Sequence, residues 1–297
     1  MTGAADVARR ADRLRQLELL VTRRLDGVVA GDHQGRVRGV GSEVEDARVY
    51  VPGDDSRRID WNATARLGDV HVRDTIADRE LETWLVFDGS ASLDFGTATC
   101  EKRDLALAAA AAFAFVTAGP GNRIGAVVYD GSGARIVAPR SGRDGTLALL
   151  HTLGSRDRAA EGDASLAAAI RRCRLAAPRR GLMVVVSDLL DGSDWQRELV
   201  AASVKHDVVV AEVRDPREDG LPPVGLLTLV DPETGRRVEV QTNSRKLRAR
   251  FAEAAAARRA AARDAVRKAG AAHLVLSTDR DWLQDLVRFT VARRQRR

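Results

Sequence analysis

From residue 83 onward the chain alternates between two hydrophobic rhythms. Short apolar runs rich in β-branched residues read as strands buried on both faces: Thr83 to Asp88, Ile124 to Tyr129, Leu182 to Asp188, Asp207 to Val213 and Ala272 to Ser277. Arg135 to Ala138 adds a short edge strand. Longer stretches with helical spacing separate them: Lys102 to Ala118, Thr146 to Leu153, Ser165 to Ala176, Trp195 to Lys205, Arg245 to Lys268 and Asp281 to Arg293. Strand and helix in turn predict an α/β fold with a doubly wound, mostly parallel sheet. One unit interrupts the rhythm. Leu226 to Val230 and Arg237 to Gln241 flank Asp231-Pro232-Glu233-Thr234-Gly235, which predicts a β-hairpin insertion within residues 224–242.

The first 80 residues follow another pattern. Leu14, Leu17, Val21, Leu25 and Val28 form one stripe, so residues 5–30 read as a helix. Gly27 to Gly41 is glycine-rich and reads as a loop. Val49 to Val51 suggests a short strand, Pro52-Gly53-Asp54 a turn, and Asp69 to Ile76 a second strand. The expected organisation is an N-terminal helix with a β-rich appendage over 1–80, then the main domain over 81–297. The pattern leaves open whether the long helix at 245–268 docks internally or on a partner.

Composition narrows the class. Of 297 residues, 44% are apolar and 30% charged, as in an ordinary globular protein. Only 4% are aromatic and alanine is abundant, so the helices should pack closely through small side chains. Cys100 and Cys173 make no disulfide framework and lack metal-ligand spacing, which points to a reducing cytoplasm. Asp6, Arg9, Arg10 and Asp12 interrupt what a signal peptide would need. The longest apolar run, Leu105 to Ala118, is too short for a transmembrane segment of roughly 20 residues. The net charge is +6, but the basic residues lack interleaved aromatics for base stacking. Nucleic acid is therefore not the expected partner.

Two strand ends carry the candidate chemistry. Trp84-Leu85-Val86-Phe87 stops on Asp88, with Ser90 and Ser92 following; Leu182 to Ser187 stops on Asp188. In open α/β sheets, ligands sit at the carboxyl ends of strands. If the two strands are neighbours, Asp88, Ser90, Ser92 and Asp188 share one crevice. These are hard oxygen donors suited to Mg²⁺ or Mn²⁺. The plainer alternative is that both aspartates cap the following turns. The pattern Asp-x-Ser-x-Ser resembles the metal-ion-dependent adhesion site of von Willebrand factor type A domains. In that resemblance a third loop supplies a threonine, and here Ala164 holds its position, with Ser165 or Asp163 as the substitute oxygen. There is no Walker A run, no His-Glu-x-x-His and no Gly-x-Ser-x-Gly elbow. A metal-dependent hydrolase in the same crevice stays as an alternative, as does a scaffold with a degenerate cation site.

A second charged cluster runs from Arg48 and Tyr50 through Asp54, Arg57, Asp60 and Trp61 to Arg66. It reads either as an ion-pair network around a Trp61 anchor or as a partner-docking surface. Tyr50, Gly53-Asp54, Arg57, Ile59-Asp60-Trp61 and Ala65-Arg66 resemble the hallmark Tyr-x-x-Gly-Asp-x-x-Arg-x-Ile-Asp-Trp-x-x-x-Ala-Arg of the bacterial domain-of-unknown-function family 58. Asp88 follows it, as in that family; Val44 and Leu93 depart from the usual pattern. The resemblance implies a von Willebrand type A-like, non-enzymatic interaction module partnered by a MoxR-type AAA+ ATPase. It implies a chaperone-like role in maturation or assembly of a client protein, with Mg²⁺ held by Ser90 and Ser92. Asp88 and Asp188 would act partly through water, and a partner's acidic side chain would complete the coordination.

Overall fold

The computed structural model describes residues 19–21, 38–52, 54–76, 81–155, 165–232 and 234–295. Residues 31–80 form one compact unit, and the remainder of the chain forms the other. Of the expected N-terminal helix, only the helical turn 19–21 lies within the described residues, with Val21 buried in the core of the larger unit.

In the smaller unit, β1 (Arg38–Val49) pairs antiparallel with β2 (His71–Ile76). β1 begins earlier than the glycine-rich pattern predicted; its pairing with β2 runs from Val49 back to Glu43 and resumes at Arg38 after an irregular stretch. Between the strands lies a helix that the pattern did not predict, α1 (Trp61–Leu67). Asp60 caps it by accepting the Asn62 and Ala63 N–H groups, and Gly68, at φ 84°, ends it in the left-handed region.

The elements of the larger unit are β3 (Glu82–Asp88), α2 (Lys102–Thr117), β4 (Arg123–Asp130), β5 (Gly133–Ser141), α3 (Gly142–Gly154), α4 (Leu166–Ala176), β6 (Leu182–Ser187), α5 (Trp195–Ser203) and β7 (Asp207–Arg214). There follow β8 (Leu226–Val230), β9 (Arg237–Gln241), α6 (Arg245–Lys268), β10 (Ala272–Ser277) and α7 (Trp282–Arg294). β8 and β9 form the expected hairpin. The main sheet has the order β10-β7-β6-β3-β4-β5, parallel except for β5, which returns antiparallel along β4. β5 is longer than the expected edge strand because the tight turn before Gly133 lets it pair along most of β4.

The strands are apolar on both faces because helices cover both. Leu85 and Phe87 point into one core with residues of α2, α3 and α7. Trp84 and Val86 point into a second core with α4, α5 and Val266 of α6. The buried stripe Ala109 to Ala112 of α2 carries no bulk, so this helix lies close on the sheet. α6 keeps most of its surface exposed and docks on its own unit through Val266, with Ala262 and Ala265 beside it.

The topology fixes where a ligand would sit. From β3 the chain runs outward to β4 and β5, then crosses back to lay β6 on the other side of β3. The order reverses between β3 and β6, and such a switch point opens a crevice at the strands' carboxyl ends.

Candidate functional site

Asp88 ends β3 and Asp188 follows β6, so both stand at this switch point. Phe87 pairs with Val186 across the ladder, which places Asp88 opposite Ser187. The Ser187 and Tyr129 hydroxyls both donate to Asp88 Oδ2 at 2.6 Å, and the Ser90 N–H donates to Oδ1 at 2.9 Å. Asp88 is almost wholly buried. Burial, reinforced by the nearby Asp188, lifts its pKa to about 6, against the pull of the three donors.

The two loops meet through serine. The Ser92 hydroxyl donates to Asp188 Oδ2 at 2.7 Å across 96 residues of chain, and the Ser90 and Ser92 hydroxyls stand 2.9 Å apart. The Leu190 N–H donates to Asp188 Oδ1 at 3.0 Å. Between them, Leu189 takes φ 57°, a left-handed conformation that costs a non-glycine residue roughly 1 kcal/mol. That turn accompanies the bond from the Leu190 N–H to the Asp188 carboxylate. Ser90 is nearly buried while Ser92 is partly exposed, so the crevice meets solvent at Ser92.

A third charge, absent from the sequence-based expectation, dominates the site. Lys102, at the first position of α2, is only 1% exposed. Its Nζ donates to Asp188 Oδ2 at 2.8 Å and to Glu218 Oε1 at 2.5 Å. Burial pulls the lysine pKa down, but the two carboxylates outweigh it and hold the ammonium above its ordinary value. Glu218 comes from the one-turn 3-10 helix after β7, and its other oxygen accepts the Asp215 N–H. Asp188 and Glu218 also line a cavity of about 280 Å³ with Trp195, Glu212, Arg214 and Arg259.

Asp215 is the hidden organiser of the rim. Fully buried, it accepts the Thr97 N–H and hydroxyl, the Thr278 hydroxyl and the Arg217 N–H. Burial raises its pKa, but these donors outweigh burial and hold the carboxyl below its ordinary value. It thereby ties together the loops that follow β3, β7 and β10.

The oxygen donors can be tested against a divalent ion. Hydroxyls 2.9 Å apart match the edge of a Mg²⁺ octahedron, roughly 2.9 Å at ordinary bond lengths. Charge and occupancy point the other way. Asp88 spends both oxygens on protein donors, and Asp188 already holds an ammonium. Among the described residues, no cluster of three or more His, Cys, Asp and Glu is arranged for a metal. As arranged, these residues do not fit a divalent cation. Ser165 caps α4, its hydroxyl accepting the Ala168 N–H. Asp163 and Ala164 lie outside the described residues.

The second expected cluster lies in the smaller unit. Arg48 is on β1 in register with Val72, and the Tyr50 N–H donates to the Val70 carbonyl. Asp54 accepts the Val51 N–H and closes the turn, while Asp60 caps α1. Arg57 is exposed; Arg66, also exposed, donates through Nε to the Asn62 carbonyl. Trp61 is 68% exposed, so it is not the buried anchor that the charge-dense segment suggested.

The model of the family described as "Protein of unknown function DUF58" matches residues 46–261, which include both clusters. The chain belongs to that family. Two relatives, "Uncharacterized protein Rv1480" of Mycobacterium tuberculosis and "Uncharacterized protein Mb1516" of Mycobacterium bovis, are each 49% identical over 296 residues. Each match covers 99% of this chain and 93% of the relative. Solved structures give remote likenesses. The hypothetical protein BatB of Bacteroides thetaiotaomicron has a TM-score of 0.45 at 13% identity, covering 73% of this chain and 100% of its own. The SpRpn10 VWA domain has a TM-score of 0.40 at 14% identity, covering 70% and 94%. Among the described residues, no helix is long and apolar enough to cross a membrane.

Proposed function

We propose that this DUF58 protein is a non-enzymatic protein-interaction module that works with a MoxR-type AAA+ ATPase in chaperone-like maturation or assembly of client proteins. The partner docks at the crevice between β3 and β6. One observation carries the reading: two loops far apart in sequence converge at the switch point, where Ser92 bonds Asp188 and the donors gather at a solvent-facing edge. A strained backbone at Leu189 supports it, since strain of this kind gathers at ligand sites. The sequence hallmark, from which the ATPase partnership is taken, supplies the second support. The divalent ion implied by Asp-x-Ser-x-Ser is not part of the reading, because Lys102 already balances Asp188.

Co-purification tests the proposal. The wild-type chain and a Ser92→Val variant are each mixed with a MoxR-type AAA+ ATPase from the same organism. Wild type is expected to retain the ATPase and the variant to lose most of it. Equal recovery would place the docking surface elsewhere, and no recovery by either would remove the ATPase from the proposal.

A further inference from the structure

We propose that Lys102 is the crevice's built-in cation, and that the docking ligand is a carboxylate which replaces Glu218 on the lysine ammonium, with no divalent ion involved. The proposal rests on reading the crevice as the docking site and specifies the chemistry of its ligand.

The placement of Lys102 runs against local preference. It begins an otherwise alanine-rich, buried helix, where the helix dipole disfavours a cation, and its ammonium is withdrawn from water. A lysine is kept in such a position only by anions that compensate it, and two are present. They are not equivalent. Asp188 is an inner partner, with a side chain 2% exposed and further bonds from Ser92 and Leu190. Glu218 is the outer partner, 21% exposed, on a single 3-10 turn. Glu218 also lines the 280 Å³ cavity, which leaves room beside it for an incoming side chain. The ammonium therefore has one fixed anion and one at the surface. An acidic residue from a partner would find the same charge and the same donor after Glu218 swings out. A divalent ion, by contrast, would have to approach Asp188 against the ammonium, 2.8 Å away.

Two measurements on the purified full-length chain test the proposal without any partner. The first follows the unfolding temperature of wild type with EDTA and with millimolar MgCl₂. No difference beyond that of an ionic-strength control is expected; a saturable rise with Mg²⁺ would overturn the proposal. The second is chemical rescue. Glu218→Ala removes the surface anion and is expected to lower the unfolding temperature by several degrees. Sodium acetate should restore most of that loss, where sodium chloride at the same ionic strength does not. In Lys102→Met/Glu218→Ala, acetate should act no better than chloride. Acetate that fails to rescue Glu218→Ala, or rescues the double variant equally, would overturn the proposal. Rescue of Glu218→Ala combined with unchanged ATPase recovery by Ser92→Val would leave the Lys102 site standing and refute only the docking reading.

Discussion

Replacing Asp88 by asparagine tests how the protein keeps a buried carboxyl next to Asp188. Burial and the neighbouring Asp188 lift the Asp88 pKa from 3.8 to about 6. A group raised in the folded state gives stability that is fully present below its unfolded pKa and lost as pH rises through its folded pKa. At 1.36 kcal/mol per unit, the wild type should lose roughly 3 kcal/mol from this group between about pH 4 and pH 7. Asparagine does not titrate. It leaves one donor mismatched, either against the Ser90 N–H or against the Tyr129 and Ser187 hydroxyls, at a cost of about 1–3 kcal/mol. That cost does not depend on pH, so the diagnostic quantity is the slope and not the offset. Urea unfolding of both proteins across this range should show Asp88→Asn gaining on the wild type as pH rises, with the difference levelling off above neutrality. Parallel curves, or a gain toward acid, would refute the claim that Asp88 is held partly protonated by burial.

The other predictions concern the surrounding framework. Lys102→Met strands Asp188 and Glu218 and should lower unfolding free energy by about 3–5 kcal/mol; a loss under about 1 kcal/mol would show that the pairing is dispensable. Asp215, held below its ordinary pKa, contributes stability above the ordinary carboxyl value that is lost as pH falls through its lower folded pKa. Asp215→Asn should therefore flatten the acid limb of the stability curve, and an unchanged limb would contradict that role. A Cβ at Gly181 would lie 2.1 Å from the Glu82 carbonyl oxygen, so Gly181→Ala should push β6 from β3 and cost about 1–3 kcal/mol in urea unfolding. Exposed Trp61 should be replaceable by alanine within about 0.5 kcal/mol, and a larger loss would mean that it packs structurally.

The sheet was legible because its strands are buried on both faces. Apolar runs such as Leu182 to Val186 have no reading as surface segments, and the β8-β9 hairpin was bounded by its own turn residues. The aspartates were legible because a carboxylate ending such a run is unusual. Helix α1 was hidden by its shortness and by a polar context, although Asp60 before it and Gly68 after it are ordinary capping signals. Lys102 was hidden in plain view at the start of a recognised helix. The available signal was a conflict of rules: a lysine at the positive end of a helix that from Leu105 onward is almost wholly apolar. Tyr129 had a comparable signal, as one of two tyrosines in the chain and the last residue of the predicted strand Ile124 to Tyr129. Asp215 and Glu218 carried the three-residue spacing of a capping box, but their bonds to Thr97, Thr278 and Lys102 come from loops that meet only after folding.

Asp215 has a dynamic consequence. The segments around Thr97, Arg217 and Thr278 all donate to one carboxylate, so none can lift away without surrendering bonds shared with the others. Opening of the rim should then be all-or-none, with the three segments exchanging their amide hydrogens at a common rate as one cooperative patch. A partner that loosens any one of them would release the whole edge.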